Sequence, residues 1–491
     1  MNILVLQDHL RNGGTERQAV LLARAFAGAG HHATLLTFRP GGALDFSPAP
    51  PRLSRAALQP FDTRLDWFAP GLRRASRRLA PDIVLCMGRM ANCRAAALQR
   101  ALPRAAVITT MRTGKELPRA YVRSLRASRH TVANSRAAAR ILAARHALPA
   151  EKITVIHNAL VFPPAAADIP PAVPGVAGGP PADAAPRGTP SPALAAAAGP
   201  PAPPPASVST STFNLNSSRH PLRLRLGATP QTLVLLCVAM FRPEKNHRAL
   251  LELAARLPRP APPAHPAHPA SLPISPISPI SPISPIPRPT LPAAARADAE
   301  RAFGLPADRQ AADRQAKDRT PPCPAADIAF ADETGPGEAV PDWQLWLAGD
   351  GPERAPCEAF AARLGLAGRV RFLGFQSDPS PLYQAADIAL LASTRESLPN
   401  FLVESHAHGL PSVACATGGV AECGGLAVPP GDADAFLAAL LPLMRDPARR
   451  ARESARVAAH AREHFSPAVQ TAAYLRLFER LLERHRRPDP R

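Results

Sequence analysis

Two glutamates, Glu396 and Glu404, bracket the segment Ser397-Leu398-Pro399-Asn400-Phe401-Leu402-Val403. Proline suits the first turn of a helix, where its missing N–H costs nothing. The spacing therefore predicts Glu396 in a loop and Glu404 about one turn inside the helix that follows. The N–H groups of Asn400, Phe401 and Leu402 would then be free and would point into the space between the carboxylates. A helix N-terminus attracts anions, and ionised carboxylates accept hydroxyl hydrogens. Together they suit a phosphate joined to a polyhydroxyl group, which is what a nucleotide sugar presents.

Such groups need a scaffold, and the surrounding sequence supplies one. The apolar run Leu233–Ala239 leads into Phe241-Arg242-Pro243-Glu244-Lys245-Asn246-His247, and Leu345–Ala348 leads into Gly349-Asp350-Gly351-Pro352. Each reads as a buried strand delivering a turn and then a helix. Further runs at Val370–Leu373, Ile388–Ala392, Ser412–Ala416 and Leu426–Val428 extend one sheet. An N-terminal set (Ile3–Leu6, Ala33–Thr37, Ile83–Leu85, Val107–Thr110, Thr131–Ala133, Ile153–Ile156) builds another. Between the first two of these runs, Ala19, Leu22, Ala23 and Phe26 recur at the spacing of one helix face. Alternation of this kind implies α/β architecture with parallel sheets.

The glutamate pair with its Pro-Asn insert, the Gly-Asp-Gly-Pro turn and the Pro-Glu-Lys-Asn segment together resemble the family 4 retaining glycosyltransferases. That resemblance implies the GT-B fold, two Rossmann-like domains with parallel sheets facing a central cleft. It runs from about residue 1 to 162 and from 220 to 491, with a large gap between 258 and 341. The expected organisation is an acceptor-side domain over 1–162, a Pro/Ala-rich disordered linker over 163–217, and a nucleotide-sugar domain over 218–465. That last domain is interrupted by a disordered insertion at 258–340, with an Ile-Ser-Pro repeat from Ile274 to Ile286. A C-terminal helix over 466–491 would cross back to the N-terminal domain.

The resemblance also implies roles. Glu404 would hold ribose hydroxyls and Glu396 hydroxyls of the donor sugar. The N–H groups around Phe401 and Leu402 would meet the distal phosphate, while Gly349 and Gly351 would let the backbone approach the base. Gly13 and Gly14 would admit a donor phosphate across the cleft. Fixed cations lower the barrier to diphosphate departure: Lys245 supplies a point charge and Arg242 a bidentate fork. The family's usual phosphate-binding arginine falls at Met240, two positions before Arg242, and the two would share a face if the strand ran that far. Arg112 stands where many relatives place a histidine and is the acceptor-side candidate.

No metal or other cofactor is expected. Asp432-Ala433-Asp434 imitates a metal motif, but it follows Pro429-Pro430-Gly431 and reads as a helix cap. Residues 1–162 carry 25 Lys and Arg against 8 Asp and Glu, a net +17 of the chain's +20. This asymmetry predicts peripheral contact with an anionic membrane and a lipid-linked or glycan acceptor. Nucleic acid is not expected as a partner, because aromatics are only 5% of residues and no zinc-finger spacing occurs. Seven cysteines without short paired spacing read as free thiols; the chain opens on a strand and has no membrane-length apolar run, so neither a leader nor a membrane span is expected. A cytoplasmic protein, peripheral on the inner face of the membrane, is the expectation. Two alternatives stay open: another GT-B enzyme, such as an epimerase or sugar-phosphate synthase, and a nucleotide-sugar-binding scaffold with little catalysis.

Overall fold

The first apolar runs pair side by side. In the computed structural model, which describes residues 1–11, 13–42, 44, 50–112, 116–160, 220–258 and 340–486, they form a seven-stranded sheet. Its strands are β1 (Asn2–Gln7), β2 (His32–Thr37), β3 (Leu53–Ala57), β4 (Ile83–Cys86), β5 (Ala106–Met111), β6 (His130–Ala133) and β7 (Ile153–Val155). They lie in the order β3-β2-β1-β4-β5-β6-β7, all parallel. Helices α1 (Gly14–Gly28), α2 (Leu72–Leu79), α3 (Arg89–Ala101), α4 (Arg119–Ala127) and α5 (Arg136–His146) connect them. The periodic residues Ala19, Leu22, Ala23 and Phe26 of α1 are all fully buried. Strand β3 has no apolar run: Leu53-Ser54-Arg55-Ala56-Ala57 is an exposed edge strand, and it is absent from the sequence expectation for that reason.

The second sheet has the order β10-β9-β8-β11-β12-β13, again all parallel. Its strands are β8 (Leu233–Val238), β9 (Trp343–Ala348), β10 (Val370–Gly374), β11 (Ile388–Leu391), β12 (Ser412–Cys415) and β13 (Leu426–Val428). Helices α6 (Pro221–Arg225), α7 (His247–Arg256), α8 (Arg354–Arg363), α9 (Ser380–Ala385), α10 (Asn400–Ala407), α11 (Ala433–Arg445) and α12 (Pro447–Phe465) surround it. The fold is therefore two Rossmann-like parallel-sheet domains, and both belong to one compact unit.

The last helix, α13 (Pro467–Arg486), packs on the first domain. Tyr474, Leu477 and Phe478 are buried in one cluster with Ile3, Val5 and Phe26.

The expected linker at 163–217 and the Ile-Ser-Pro repeat lie outside the described residues. Of the residues at the edges of the expected insertion, Val340 joins the core of the second domain and Pro258 is half-buried. Val340 is buried, and the Trp343 indole donates to the Pro258 carbonyl at 3.1 Å. Among the described residues all six cysteines are free, five of them buried. No described helix is long and apolar enough to cross a membrane.

Candidate functional site

In doubly wound sheets, ligands bind beyond the carboxyl ends of the strands, where the strand order reverses. In the second sheet that point lies between β8 and β11. The loop after β8 carries Lys245 and the loop after β11 carries Glu396. Their side chains meet, Lys245 Nζ donating to Glu396 Oε1 at 2.5 Å, with Lys245 25% and Glu396 8% exposed. An ammonium has three N–H donors, so one bond to Glu396 leaves two for oxygens of a ligand.

Helix α10 begins beside this pair. Pro399 is its N-cap, one position before the first helical residue. The Leu402 N–H is directed at the Pro399 carbonyl at 3.1 Å, so it is not one of the open donors that the spacing predicts. Asn400 and Phe401 keep theirs directed past the helix end.

Glu404, one turn into α10, accepts a hydrogen bond from the Tyr383 hydroxyl at 2.5 Å. Burial pushes its carboxyl above the usual range, against the lowering effects of the Tyr383 bond and of Arg17. It lines a cavity of about 370 Å³ whose opposite wall is α1, with Arg17, Gln18, Leu21 and Arg24. That volume suits a small-molecule ligand.

Gly14 closes the distance between the domains. A Cβ there would lie 2.5 Å from the Asn400 side-chain nitrogen, and one on Gly13 would strike Glu16. Arg17 Nη2 also reaches across, to the Ser377 carbonyl at 3.3 Å.

Gly349 and Gly351 follow β9 with φ of +139° and +152°. A Cβ on either would lie 2.0 Å from the Ala239 carbonyl or 2.4 Å from that of Phe241. Their side-chain space is occupied by the β8 loop backbone, which accounts for glycine before any ligand is invoked. Asp350 accepts from the Gly351 N–H at 2.8 Å, a local turn bond.

Arg242 departs from the strand argument. β8 ends at Val238, so Arg242 is not on the strand; it is the residue before a short turn, Pro243–Lys245. Asp432 caps α11 through the Ala435 N–H at 2.8 Å. Among the described residues no group of three or more His, Cys, Asp or Glu is arranged to hold a metal.

On the first domain, Arg112 directly follows β5. It donates to Asn158 Oδ1 and, at 3.1 Å, to the Tyr474 hydroxyl of α13. Asn158 in turn donates to Asn400 Oδ1 at 2.9 Å. Arg112 is thus tied through Asn158 to the start of α10.

Sequence spacing had no means of finding Tyr383, Asn158 or Arg17, which lie on other elements from the groups they touch. Asp8 was findable. It stands just after β1, and the first sheet reverses its strand order between β1 and β4. Its carboxylate caps α3, accepting from the Met90 and Ala91 N–H groups at 2.9 and 2.7 Å. Burial raises its pKa to about 6, although the two backbone bonds oppose the shift.

A folded-state pKa above the unfolded value of 3.8 means that the contribution of Asp8 to stability is present below that value. It is lost as pH rises through about 6. The shift corresponds to about 3 kcal/mol. Thermal melts of wild type and Asp8→Asn across pH 4–7 should therefore show wild type losing ground to the variant as pH rises. Parallel curves would remove the raised pKa.

Comparison with known proteins adds three findings. The family model described as Glycosyltransferase Family 4 matches residues 12–160, and Glycosyl transferases group 1 matches residues 331–446. The lipopolysaccharide core biosynthesis glycosyltransferases LpsE and LpsD of Rhizobium meliloti are 37% and 38% identical over 143 and 146 residues. These matches take in 28% and 29% of this chain, and 42% and 43% of the relatives, so the chain spans about two fifths of their length.

Among solved structures, Anabaena HepE in complex with UDP has a TM-score of 0.61 at 17% identity, covering 98% of this chain and all of that one. The apo lipopolysaccharide outer core galactosyltransferase WaaB has a TM-score of 0.56 at 12% identity, with coverage of 98% and 100%.

Proposed function

The chain belongs to glycosyltransferase family 4 and has the GT-B fold, and from that premise we propose that it is a retaining glycosyltransferase. It moves a sugar from a nucleotide diphosphate to a hydroxyl of a lipid-linked or surface-glycan precursor. The observation that carries this reading is the Lys245–Glu396 pair beside the start of α10, with Glu404 lining the adjoining cavity.

In this reading Glu404 takes the ribose hydroxyls and Glu396 those of the donor sugar. Lys245, the first N–H groups of α10 and Arg242 stabilise the departing diphosphate. The Gly13-Gly14 turn admits the phosphates between the domains. The acceptor hydroxyl attacks from the face that the diphosphate leaves, and the leaving phosphate takes its proton. No metal is required, so transfer persists in chelator.

A UDP-sugar is the first donor to test, because Anabaena HepE, alike in fold, has structures with UDP and with UDP-glucose. The acceptor class is supported by the names of LpsE and LpsD and by the basic first domain.

The test is thermal stabilisation by a panel of nucleotide sugars. A ligand at about 100 times its Kd adds about 2.7 kcal/mol to the folded state. A shift with one donor, followed by anomer-retaining transfer to a glycan acceptor, is the expected result. Folded protein that no nucleotide sugar stabilises would overturn the reading.

A further inference from the structure

Glu422 stands on the short turn Val420–Cys423, between β12 and β13 of the second domain, yet its carboxylate reaches into the first. Oε2 accepts from the Arg136 N–H at 2.8 Å and lies 3.0 Å from His157 Nε2, and Oε1 accepts from the Ala137 N–H at 3.2 Å. Arg136 and Ala137 open α5, so the carboxylate covers two of the four N–H groups that a helix start leaves without partners. Ser135, the N-cap, takes the Ala138 N–H at 3.0 Å.

The Glu422 side chain is only 11% exposed. Burial by itself would raise its pKa, but the His157 bond and the two backbone bonds outweigh it and hold the carboxyl below the usual range. An ionised carboxylate on a helix start makes stronger bonds than a neutral group does. With three donors converging on it, the contact fits one relative placement of the two domains.

The turn is anchored on its own side. Val420 and Cys423 are buried in the core of the second domain. His406 of α10 bonds the Cys423 carbonyl at 2.9 Å, and His460 of α12 bonds the Glu422 carbonyl at 3.0 Å. Just upstream, Gly418 and Gly419 lie against the loop of Glu396. A Cβ on Gly418 would strike the Glu396 carbonyl, and one on Gly419 would strike the Ser397 carbonyl and Ser135. Ser397 in turn donates to Asn134 Oδ1 at 2.6 Å, immediately before the start of α5.

We propose that Glu422 is a positioning residue for transfer: it pins the start of α5 to the turn that backs Glu396 and so fixes the acceptor-side domain relative to the donor sugar. The proposal rests on the reading of the chain as a glycosyltransferase. A misplacement of about 1 Å costs up to about 100-fold in rate, so loss of Glu422 acts on turnover. Lys245, Glu396 and Glu404 all belong to the second domain and keep their places.

Two measurements on the full chain test this, and the first needs no substrate. In hydrogen exchange, the Arg136 and Ala137 amides of Glu422→Ala should exchange at least roughly tenfold faster than in wild type, while the strand amides of both sheets keep their rates. The second uses the nucleotide sugar from the panel above that stabilises wild type best. Glu422→Ala should lose roughly 10- to 100-fold in kcat for transfer. Its donor KM and its slow hydrolysis of the donor by water should stay within about twofold, because water needs no placement by the first domain. Glu422→Gln keeps one oxygen for an N–H and should fall between wild type and Glu422→Ala in both measurements.

Unchanged exchange at Arg136 and Ala137 would remove the clamp. Faster exchange with unchanged kcat would leave the contact structural and overturn its part in transfer, as would an equal loss in transfer and in hydrolysis. A panel without any stabilising donor overturns the glycosyltransferase reading instead, and with it the role in transfer, whatever the exchange rates show.

Discussion

Lys245→Ala is expected to lower kcat by roughly 10²–10³-fold, the usual cost of removing one preorganised group that stabilises developing charge. The magnitude rests on where the ammonium sits. It is held at 2.5 Å from Glu396, in the loop after the strand next to the one that delivers Glu396, so it needs no reorganisation when a diphosphate leaves. The same substitution leaves the carboxylate of Glu396, only 8% exposed, without its cation. Part of the loss is therefore expected from a disturbed loop, because an uncompensated buried charge is costly.

The double variant Lys245→Ala with Glu396→Gln isolates the stability part of the loss, since it removes the stranded charge; because Glu396 itself holds donor hydroxyls in this reading, only a recovery of turnover is diagnostic. It should recover the melting temperature while turnover stays low. Turnover that recovers with stability would reassign Lys245 to a structural role. Single-turnover assays with the donor found by thermal shift make the measurement.

Phe478→Ala should cost about 3–5 kcal/mol, the range for truncating a buried phenylalanine and a large share of a domain's total stability. Phe478 is fully buried on α13. Its ring centroid lies 5.4 Å from that of Phe26 on α1 and 5.8 Å from that of Tyr474. The last helix therefore completes the core of the first domain, some 450 residues away in sequence. Chemical denaturation of the variant checks the value, with Val469→Ala as control. Val469 is half-exposed on the same helix and should change stability by less than about 0.5 kcal/mol. A cost below about 1 kcal/mol for Phe478→Ala would mean that α13 adds little to that core.

Much of the fold was legible because burial leaves a local record. A strand covered on both faces must be an unbroken apolar run, and every such run read from the sequence is a strand of one of the two parallel sheets. Strand β3, on the edge and exposed, left no such record. The helix after Pro399 was equally legible, because proline and the apolar residues behind it act on their own neighbours. Its details were not: whether Leu402 keeps a free N–H depends on how tightly the first turn closes on the Pro399 carbonyl. Arg242 shows the same limit, since the point at which β8 ends depends on what its neighbouring strands pair with.

The sequence by itself determined the element types, the two-sheet architecture and the residue types able to bind a phosphate and hydroxyls. Only the tertiary structure decided which of those residues meet. Lys245 and Glu396 are 151 residues apart, and Asn158 and Asn400 are 242 apart. Gly14 abuts Asn400, Tyr383 finds Glu404, and Phe478 of α13 meets Phe26 of α1. Periodicity and capping act over a few residues and are written in their spacing. A contact across hundreds of residues follows from strand order and from apolar surface matched to apolar surface, neither of which any local window contains.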